Sequence, residues 1–283
     1  MTEARDFSLD AGPLRLAARA WGAPDAPPVL ALHGWLDNVA SFDLLAPLLP
    51  DIHLVAIDLP GHGHSQHRPD GCAYHLVDYV ADAIAAADAL GWDRFALLGH
   101  SLGGAVGTFV AGAFPDRIRH LALIEALGPL SEAPWHAPAR LARAIEAQRG
   151  RRSRPATRNR DLADLVQARQ NAGNLPAEAA RRLVERGTET TADGVRWCSD
   201  RRLREPARQF HSETQVLAYL RAITAPVELV VADNGLIPLD QTGVRRRMRA
   251  VPHLNVHRQR GGHHLHLEDP AAVASALAQG LAG

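Results

Sequence analysis

Gly99-His100-Ser101-Leu102-Gly103 is the most informative stretch of this chain. A short apolar run of strand length, 95–98, precedes it, and a small, apolar run of helical length, 104–111, follows it. This context is typical of a nucleophile elbow, a strained turn between a strand and a helix with a serine at its tip. The residues two before and two after that serine must nearly lack side chains, as Gly99 and Gly103 do. The pattern predicts Ser101 as a nucleophile beside the free N–H groups of a helix N-terminus. A glycine-rich turn capped by serine is the alternative if no base and acid accompany it.

A histidine-rich loop supplies candidates for the base. It lies between the last predicted strand, 255–259, and the last predicted helix, 271–281, and it carries His263, His264 and His266. A histidine after the last strand fits the chain order serine, acid, histidine of enzymes with this elbow. His263 directly follows two glycines, which let the backbone turn towards the sheet edge, so we predict it as the base. His264 and His266 remain alternatives. No carboxylate or cysteine spacing accompanies the three histidines, so we expect no metal site.

Two further motifs follow predicted strands: Leu32-His33-Gly34-Trp35 and Asp58-Leu59-Pro60-Gly61-His62-Gly63-His64-Ser65. With the elbow and the histidine loop, they make the chain resemble the α/β-hydrolase superfamily over nearly its whole length. The strings 33–38 and 123–130 resemble the serine hydrolase-like (kraken-like) branch. The resemblance implies Ser101 as nucleophile, His263 as base, and an oxyanion hole formed by the backbone N–H groups of Trp35 and Leu102. It implies a small ester-like substrate and no cofactor.

The position of the acid departs from the usual pattern of the superfamily. The carboxylate usually follows the strand after the insertion, but alignment on Pro238 and on the end of the strand 227–231 puts Gly235 there rather than Asp233. Some haloalkane dehalogenases carry the acid instead at the end of the strand after the elbow helix, where this chain has Glu125. The strand before Glu125 is predicted to be a buried parallel strand, and a carboxylate directly after such a strand is otherwise hard to explain. We predict Glu125 as the acid, with a carboxylate oxygen about 2.6–3.2 Å from the His263 ring. Asp233 is the alternative, and a carboxylate that merely caps the next turn is a further one.

Strand and helix patterns alternate before residue 128, which predicts a mostly parallel sheet covered on both faces. Between 129 and 208 strand patterns vanish and helical patterns such as 139–145 and 177–186 take over, broken by an arginine-rich loop at 150–160. The predicted fold class is α/β, an α/β-hydrolase fold with an inserted helical lid. The core is divided into 1–128 and 209–283, with the lid at 129–208. The predicted strands are 14–21, 29–32, 54–57, 95–98, 121–124, 227–231 and 255–259; the predicted helices of the core are 73–90, 102–114, 240–250 and 271–281.

Charge and composition limit the partners. The 283 residues have a formal net charge of zero, so nothing attracts the chain as a whole to nucleic acid or to an anionic membrane. The segment 129–208 carries 17 of the 31 arginines and 10 of the 31 acids, an excess of seven positive charges. A solvated helical surface explains this excess, as does a basic rim for anionic substrates or an acidic partner. A membrane span needs a run of about 20 apolar residues, and the sequence contains no such run.

The first six residues lack the apolar run of a secretory signal, and Cys72 and Cys198 are far apart in sequence. A reduced pair in a cytoplasmic protein is expected, and the sequence leaves both a monomer and a homodimer open.

These features predict a serine hydrolase that cleaves a small carboxylic ester or related acyl compound through an acyl-enzyme on Ser101. Thioester, lactone, peracid and carbon–carbon cleavage by the same groups remain open. One alternative is a non-catalytic protein of the same fold that binds a small molecule. The other is a proline-type peptidase or amidase, for which the sequence offers no charged anchor for a substrate amine.

Overall fold

The computed structural model describes residues 4–151, 161–192 and 194–283. Its strands are β1 (Arg5–Ala11), β2 (Leu14–Trp21), β3 (Pro28–Leu32), β4 (His53–Ile57), β5 (Phe95–His100), β6 (Ile118–Ile124), β7 (Thr188–Thr191), β8 (Gly194–Trp197), β9 (Val227–Asn234) and β10 (Leu254–Gly262). Eight of them form one sheet in the described part of the chain, in the order β1-β2-β4-β3-β5-β6-β9-β10. The pairs β1–β2 and β2–β4 are antiparallel, and every other neighbouring pair in this sheet is parallel. The predicted, mostly parallel sheet is confirmed.

Helices lie between the strands and cover both faces of the sheet. They are α1 (Leu76–Ala89), α2 (Leu102–Ala113), α3 (Ala137–Arg151), α4 (Leu162–Gly173), α5 (Ala177–Gly187), α6 (Glu213–Ala222), α7 (Thr242–Ala250), α8 (Leu265–Glu268) and α9 (Pro270–Ala282). Among the described residues, no helix combines the length and apolarity that crossing a membrane requires.

The central strands are buried because side chains on both of their faces pack against helices. Leu97 lies in the cluster that includes residues of α1, α2 and α6, and the next residue, Leu98, lies in the cluster that includes residues of α9. All six residues of β5 are buried, as expected for an inner parallel strand. Each large aliphatic side chain buried in this way contributes about 1.5–3 kcal/mol to folding. The doubly covered sheet therefore gives the loops at its edges a rigid base.

The structure adds strand β1, which the sequence analysis did not predict. Its apolar residues Phe7, Leu9 and Ala11 alternate with polar ones, the pattern of a strand with one buried face. Within β1 only Leu9 and Ala11 are buried, and β1 pairs with β2 alone at the edge of the sheet. A short edge strand that buries so little apolar surface leaves a weak signal in the sequence.

The segment 129–208, hereafter the insertion, is not free of strands. Its helices α3, α4 and α5 are followed by the hairpin β7–β8, so the prediction that strands vanish there was wrong. The hairpin strands are four residues long and only partly buried, so they show no apolar run; β7 carries the threonines that favour strands. Helix α3 extends to Arg151, so the arginine-rich loop predicted at 150–160 does not begin at 150; the rest of it, 152–160, lies outside the described residues.

Parallel strands bring their carboxyl ends to one edge of the sheet, where ligands bind in open α/β folds. The segments that leave β3, β5, β6 and β10 at this edge carry Trp35, Ser101, Glu125 and His263, respectively. Residues far apart in the chain are thus brought together by strand order alone.

Candidate active site

The elbow around Ser101 has the strained backbone that the sequence predicts. Ser101 has φ 50° and ψ −111°, and its N–H donates to Ile124 O over 3.0 Å. A Cβ on Gly99 would lie 2.6 Å from the Gly103 backbone, and one on Gly103 would lie 1.9 Å from Leu32 O. Both positions therefore require glycine, because α2 and β3 pass too close for any side chain. Leu102 begins α2, so its N–H has no carbonyl partner within the helix.

His263 meets Ser101 across this edge. Its Nε2 lies 2.9 Å from Ser101 Oγ, which is hydrogen-bonding distance. The loop reaches this position through Gly261, whose φ is 139°, and through the Gly262 N–H, which donates to Glu268 Oε2 over 2.8 Å. The two glycines before His263 thus make the turn that the sequence suggested.

The other two histidines of the loop have different partners. His264 Nε2 lies 3.3 Å from the Arg169 guanidinium, and His266 Nε2 lies 2.8 Å from Ser41 Oγ. Burial lowers the pKa of His266 to about 3, so its ring is neutral at ordinary pH. Of the three candidates for the base, the structure brings His263 to Ser101 and directs His264 and His266 elsewhere.

Glu125 lies behind His263, at the end of β6. Its Oε2 is 3.3 Å from His263 Nδ1, slightly longer than the range expected from the sequence. The Ala232 N–H donates to Oε1 over 2.7 Å, and the Leu236 N–H donates to Oε2 over 2.6 Å. The residue is only 3% exposed, so these backbone donors satisfy a carboxylate that water barely reaches. The side chain is fixed by the strand and loop of β9 rather than by its own strand.

The loop after β9 shows why Asp233 is not near His263. A Cβ built on Gly235 would lie only 2.2 Å from Glu125 Oε1 and 2.3 Å from Oε2. The space that a side chain at this position would take is therefore filled by the Glu125 carboxylate. Asp233 instead accepts a hydrogen bond from Arg258 Nε over 2.6 Å and is 40% exposed. The structure brings Glu125, not Asp233, to the histidine.

Residues 33–38, hereafter the β3 loop, border Ser101 on the other side. His33 is fully buried; its Nε2 accepts from the Leu59 N–H over 3.0 Å, and its Nδ1–H then donates to Gly34 O over 2.7 Å. Trp35 is half-exposed, and its indole N–H donates to Leu203 O of the insertion over 3.0 Å. The loop is therefore tied to the core through His33 and to the insertion through Trp35.

The sequence analysis missed Asp37 and Arg169. Asp37 is 2% exposed, and its Oδ1 accepts a hydrogen bond from the Arg169 guanidinium. Burial would raise the pKa of the Asp37 carboxyl, but the facing His264 ring and the charge of Arg169 hold the pKa well below its ordinary value. The available signal was a carboxylate within the string 33–38 just after a buried strand. Its partner is 132 residues away and could not be paired with it from the sequence.

Comparison with known proteins agrees with this architecture. The profile of the family described as alpha/beta hydrolase fold matches residues 27–270. The chain therefore belongs to the α/β-hydrolase family and is a hydrolase. It falls in the serine hydrolase-like branch: the "Serine hydrolase-like protein" of Danio rerio is 32% identical over 278 residues, 93% of this chain and 83% of that protein.

Solved structures of the same fold cover almost the whole chain. A hypothetical protein from Pseudomonas aeruginosa PAO1 superposes with a TM-score of 0.91 and 40% identity over 98% of both chains. The thioesterase domain from the curacin biosynthetic pathway superposes with a TM-score of 0.83 and 26% identity, over 96% of this chain and 98% of its own. The agreement therefore includes the insertion as well as the sheet.

No group of three or more histidine, cysteine, aspartate or glutamate side chains within 4–151, 161–192 and 194–283 is arranged to hold a metal ion. Cys72 and Cys198 are both free thiols. Burial raises the pKa of Cys198 to about 11, so this thiol is not activated as a nucleophile.

The contact between Gly235 and the Glu125 carboxylate predicts the outcome of Gly235→Ala. The new methyl group overlaps the carboxylate and pushes it away from its N–H donors, so the free energy of unfolding falls by about 1–3 kcal/mol. Gly243→Ala is the control, because a Cβ there has no neighbour within 4 Å and alanine favours the helix. Thermal unfolding of the two variants measures the difference. Equal unfolding temperatures for Gly235→Ala and the parent protein would contradict the close contact.

Proposed function

We propose that this protein is a serine hydrolase that cleaves a small carboxylic ester or related acyl compound through an acyl-enzyme on Ser101. The observation that carries the proposal is the chain of contacts through His263, with Ser101 Oγ 2.9 Å from Nε2 and Glu125 Oε2 3.3 Å from Nδ1. This is the relation of nucleophile, base and orienting carboxylate that covalent catalysis by serine needs. The serine hydrolase-like relative supports the same class of chemistry.

The chemistry follows from these contacts. His263 Nε2 takes the proton of Ser101 as Oγ attacks the substrate carbonyl carbon, and the carbonyl oxygen becomes an oxyanion. The backbone N–H groups of Trp35 and Leu102 bind that oxyanion, an interaction worth about 2.7–4 kcal/mol per donor in other enzymes. His263 then gives its proton to the leaving alkoxide, which departs as an alcohol. Water, deprotonated by the same ring, releases the acid and restores the serine.

Glu125 serves this cycle without touching the substrate. Its carboxylate accepts a hydrogen bond from His263 Nδ1–H, which selects the tautomer with a free lone pair on Nε2, and it stabilises the imidazolium that forms during attack without taking its proton. Because the Ala232 and Leu236 N–H groups fix the carboxylate, it needs little reorganisation as charge develops. Glu125 is therefore a positioning and electrostatic group for His263.

Labelling with a fluorophosphonate tests the nucleophile. The strained backbone exposes Ser101 Oγ to His263, so the reagent adds once to the native protein and not to Ser101→Ala. Intact-mass spectrometry measures both. A hydrolase-fold protein that only binds a small molecule would stay unlabelled, and an adduct that persists in Ser101→Ala would refute the assignment.

The two candidate acids are separated by Glu125→Gln and Asp233→Asn. The amide of Glu125→Gln cannot stabilise an imidazolium, and the equivalent change in a serine protease lowers kcat by about 10⁴-fold. Asp233→Asn breaks only an exposed pair with Arg258, worth about 0–1 kcal/mol, so kcat stays close to that of the parent. Hydrolysis of p-nitrophenyl butyrate gives both values. A severe loss in Asp233→Asn with a mild one in Glu125→Gln would reverse the assignment.

The insertion, 129–208, is proposed to act as a lid that sets the preference for acyl length. The support is its attachment to the β3 loop, where the Trp35 indole N–H donates to Leu203 O over 3.0 Å and Asn38 Nδ2 donates to Leu183 O over 2.8 Å. On α3, Leu141 and Ile145 lie near the buried Ala144 and are still 46% and 43% exposed. Helix α3 thus carries exposed apolar side chains, and we propose that they contact the acyl chain.

The double substitution Leu141→Ala/Ile145→Ala tests this role. Removing the apolar surface weakens the binding of long acyl chains and leaves acetyl esters unaffected, so kcat/KM for octanoyl relative to acetyl p-nitrophenyl esters falls about tenfold. Val77→Ala is the control, since Val77 is 45% exposed and lies on α1, outside the insertion. An equal octanoyl-to-acetyl ratio of kcat/KM in the parent protein and the double variant would count against a lid that selects substrates by acyl length.

A further inference from the structure

The carboxylate of Asp37 connects three parts of the candidate site. Asp37 ends the tight turn of the β3 loop, and its Oδ1 accepts from Arg169 on α4 of the insertion. Its Oδ2 lies 3.7 Å from His264 Nε2, next to the base, and 3.9 Å from His100 Nδ1, next to the nucleophile. One buried carboxylate therefore contacts the insertion and faces residues beside both Ser101 and His263.

The turn that Asp37 closes is strained. The Asp37 N–H donates to Gly34 O over 3.1 Å, and Leu36, the third residue of this turn, has φ 63°. That conformation favours glycine or asparagine, and a leucine adopts it only when the surrounding structure imposes it. Trp35 is the second residue of the same turn, so the direction of its backbone N–H depends on the turn being held.

The Asp37 carboxylate packs directly against the start of the turn. A Cβ on Gly34 would lie 3.0 Å from Asp37 Oδ2 and 2.9 Å from His100 Nδ1. Gly34 thus packs one side of its backbone against both the carboxylate and the elbow histidine. His100 is itself fixed, because its Nε2–H donates to His263 O over 2.9 Å. Any shift of the carboxylate would change the surroundings of the Trp35 amide.

Arg169 supplies the permanent positive charge that faces Asp37. Burial, with the nearby rings of His266 and His264, holds the pKa of His100 well below its ordinary value, so this ring is neutral. The Arg169 side chain is 16% exposed and the Asp37 side chain 1% exposed. Without the guanidinium, an ionised carboxylate would remain buried with its charge unpaired, which is strongly unfavourable.

We infer that the Arg169–Asp37 ion pair is a positioning device by which the insertion holds the strained turn of the β3 loop, and with it the Trp35 N–H, in the geometry that binds the oxyanion. The inference rests on the proposed function, because it assigns the Trp35 amide to the oxyanion hole. Arg169 and Asp37 act through the loop and contact no reacting atom.

Arg169→Met tests the positioning role of the ion pair, because it removes the charge of the guanidinium and keeps most of the aliphatic part of the side chain. We expect kcat for p-nitrophenyl butyrate to fall about 10–100-fold, the scale of loss for a site displaced by about 1 Å, with KM changed less than about twofold. Affinity for an alkyl trifluoromethyl ketone, which forms an oxyanion on Ser101, should fall by the same factor as kcat/KM. Arg169→Lys, which keeps the charge, should recover part of both.

Two controls separate positioning from general instability. Arg182→Met removes an arginine of α5 that pairs with Glu178 and Asp43, neither of which belongs to the β3 loop, and should leave kcat within about twofold. Arg169→Met/Asp37→Asn removes the unpaired buried charge together with the pair. The decrease in unfolding temperature caused by Arg169→Met should be reversed in this double variant. Its kcat should stay low, since the β3 loop still lacks the Arg169–Asp37 ion pair. All kcat values are expressed per site labelled by fluorophosphonate.

The outcomes are distinct. If Arg169→Met keeps the native kcat and the native ketone affinity, the inference is overturned and the proposed function stands. A rise in KM alone also overturns the inference, because it would make Arg169 a substrate-binding residue. Recovery of full kcat in the double variant also overturns it, because charge balance alone would then explain the loss. A parent protein that is not labelled on Ser101 overturns the proposed function and this inference with it.

Discussion

Two neighbouring strands are each followed by a non-glycine residue with positive φ, and the candidate site depends on that pair. Ser101 follows β5 with φ 50°, and Glu125 follows β6 with φ 51°. The Ser101 N–H donates to Ile124 O over 3.0 Å, so the two sharp turns are joined at their base. Conformations of this kind cost on the order of 1–3 kcal/mol each in a non-glycine residue. They persist because β5 and β6 lie in the middle of a sheet covered on both faces, which the turns cannot deform.

The charge distribution of the insertion follows from the same geometry. Buried or nearly buried carboxylates at the edge of the sheet, Asp37 and Asp58, need counter-charges that the core does not provide. The insertion provides them as Arg169 and Arg186, the latter 3.1 Å from Asp58 Oδ2 and 7% exposed. Part of its excess of positive charge therefore faces inward and joins it to the core. Neither a solvated surface nor a basic rim accounts for these two arginines.

Sequence reasoning located the parts of the structure with local signals. The elbow combines a short motif with an apolar run, the inner strands are apolar runs, and the two glycines directly precede a histidine in the loop before the last helix; each could be recognised without knowing the fold. Strand β1 and the hairpin β7–β8 bury too little apolar surface to leave such a signal. The pair Asp37–Arg169 could not be predicted for another reason, since the choice among many arginines depends on where α4 packs.

Glu125 and Gly235 show that the site constrains a point in space rather than a position in the chain. The carboxylate of Glu125 reaches from β6 to within 2.2–2.4 Å of the place where a side chain on Gly235 would begin. The backbone N–H groups that receive it, those of Ala232 and Leu236, belong to β9 and the loop after it. A carboxylate from either strand would therefore meet the same histidine and much the same donors. The longer glutamate side chain spans the distance between the strands, and glycine opposite it leaves the necessary room. Glu125 therefore requires glycine at position 235, and the carboxylate of Glu125 takes the place of a side chain there.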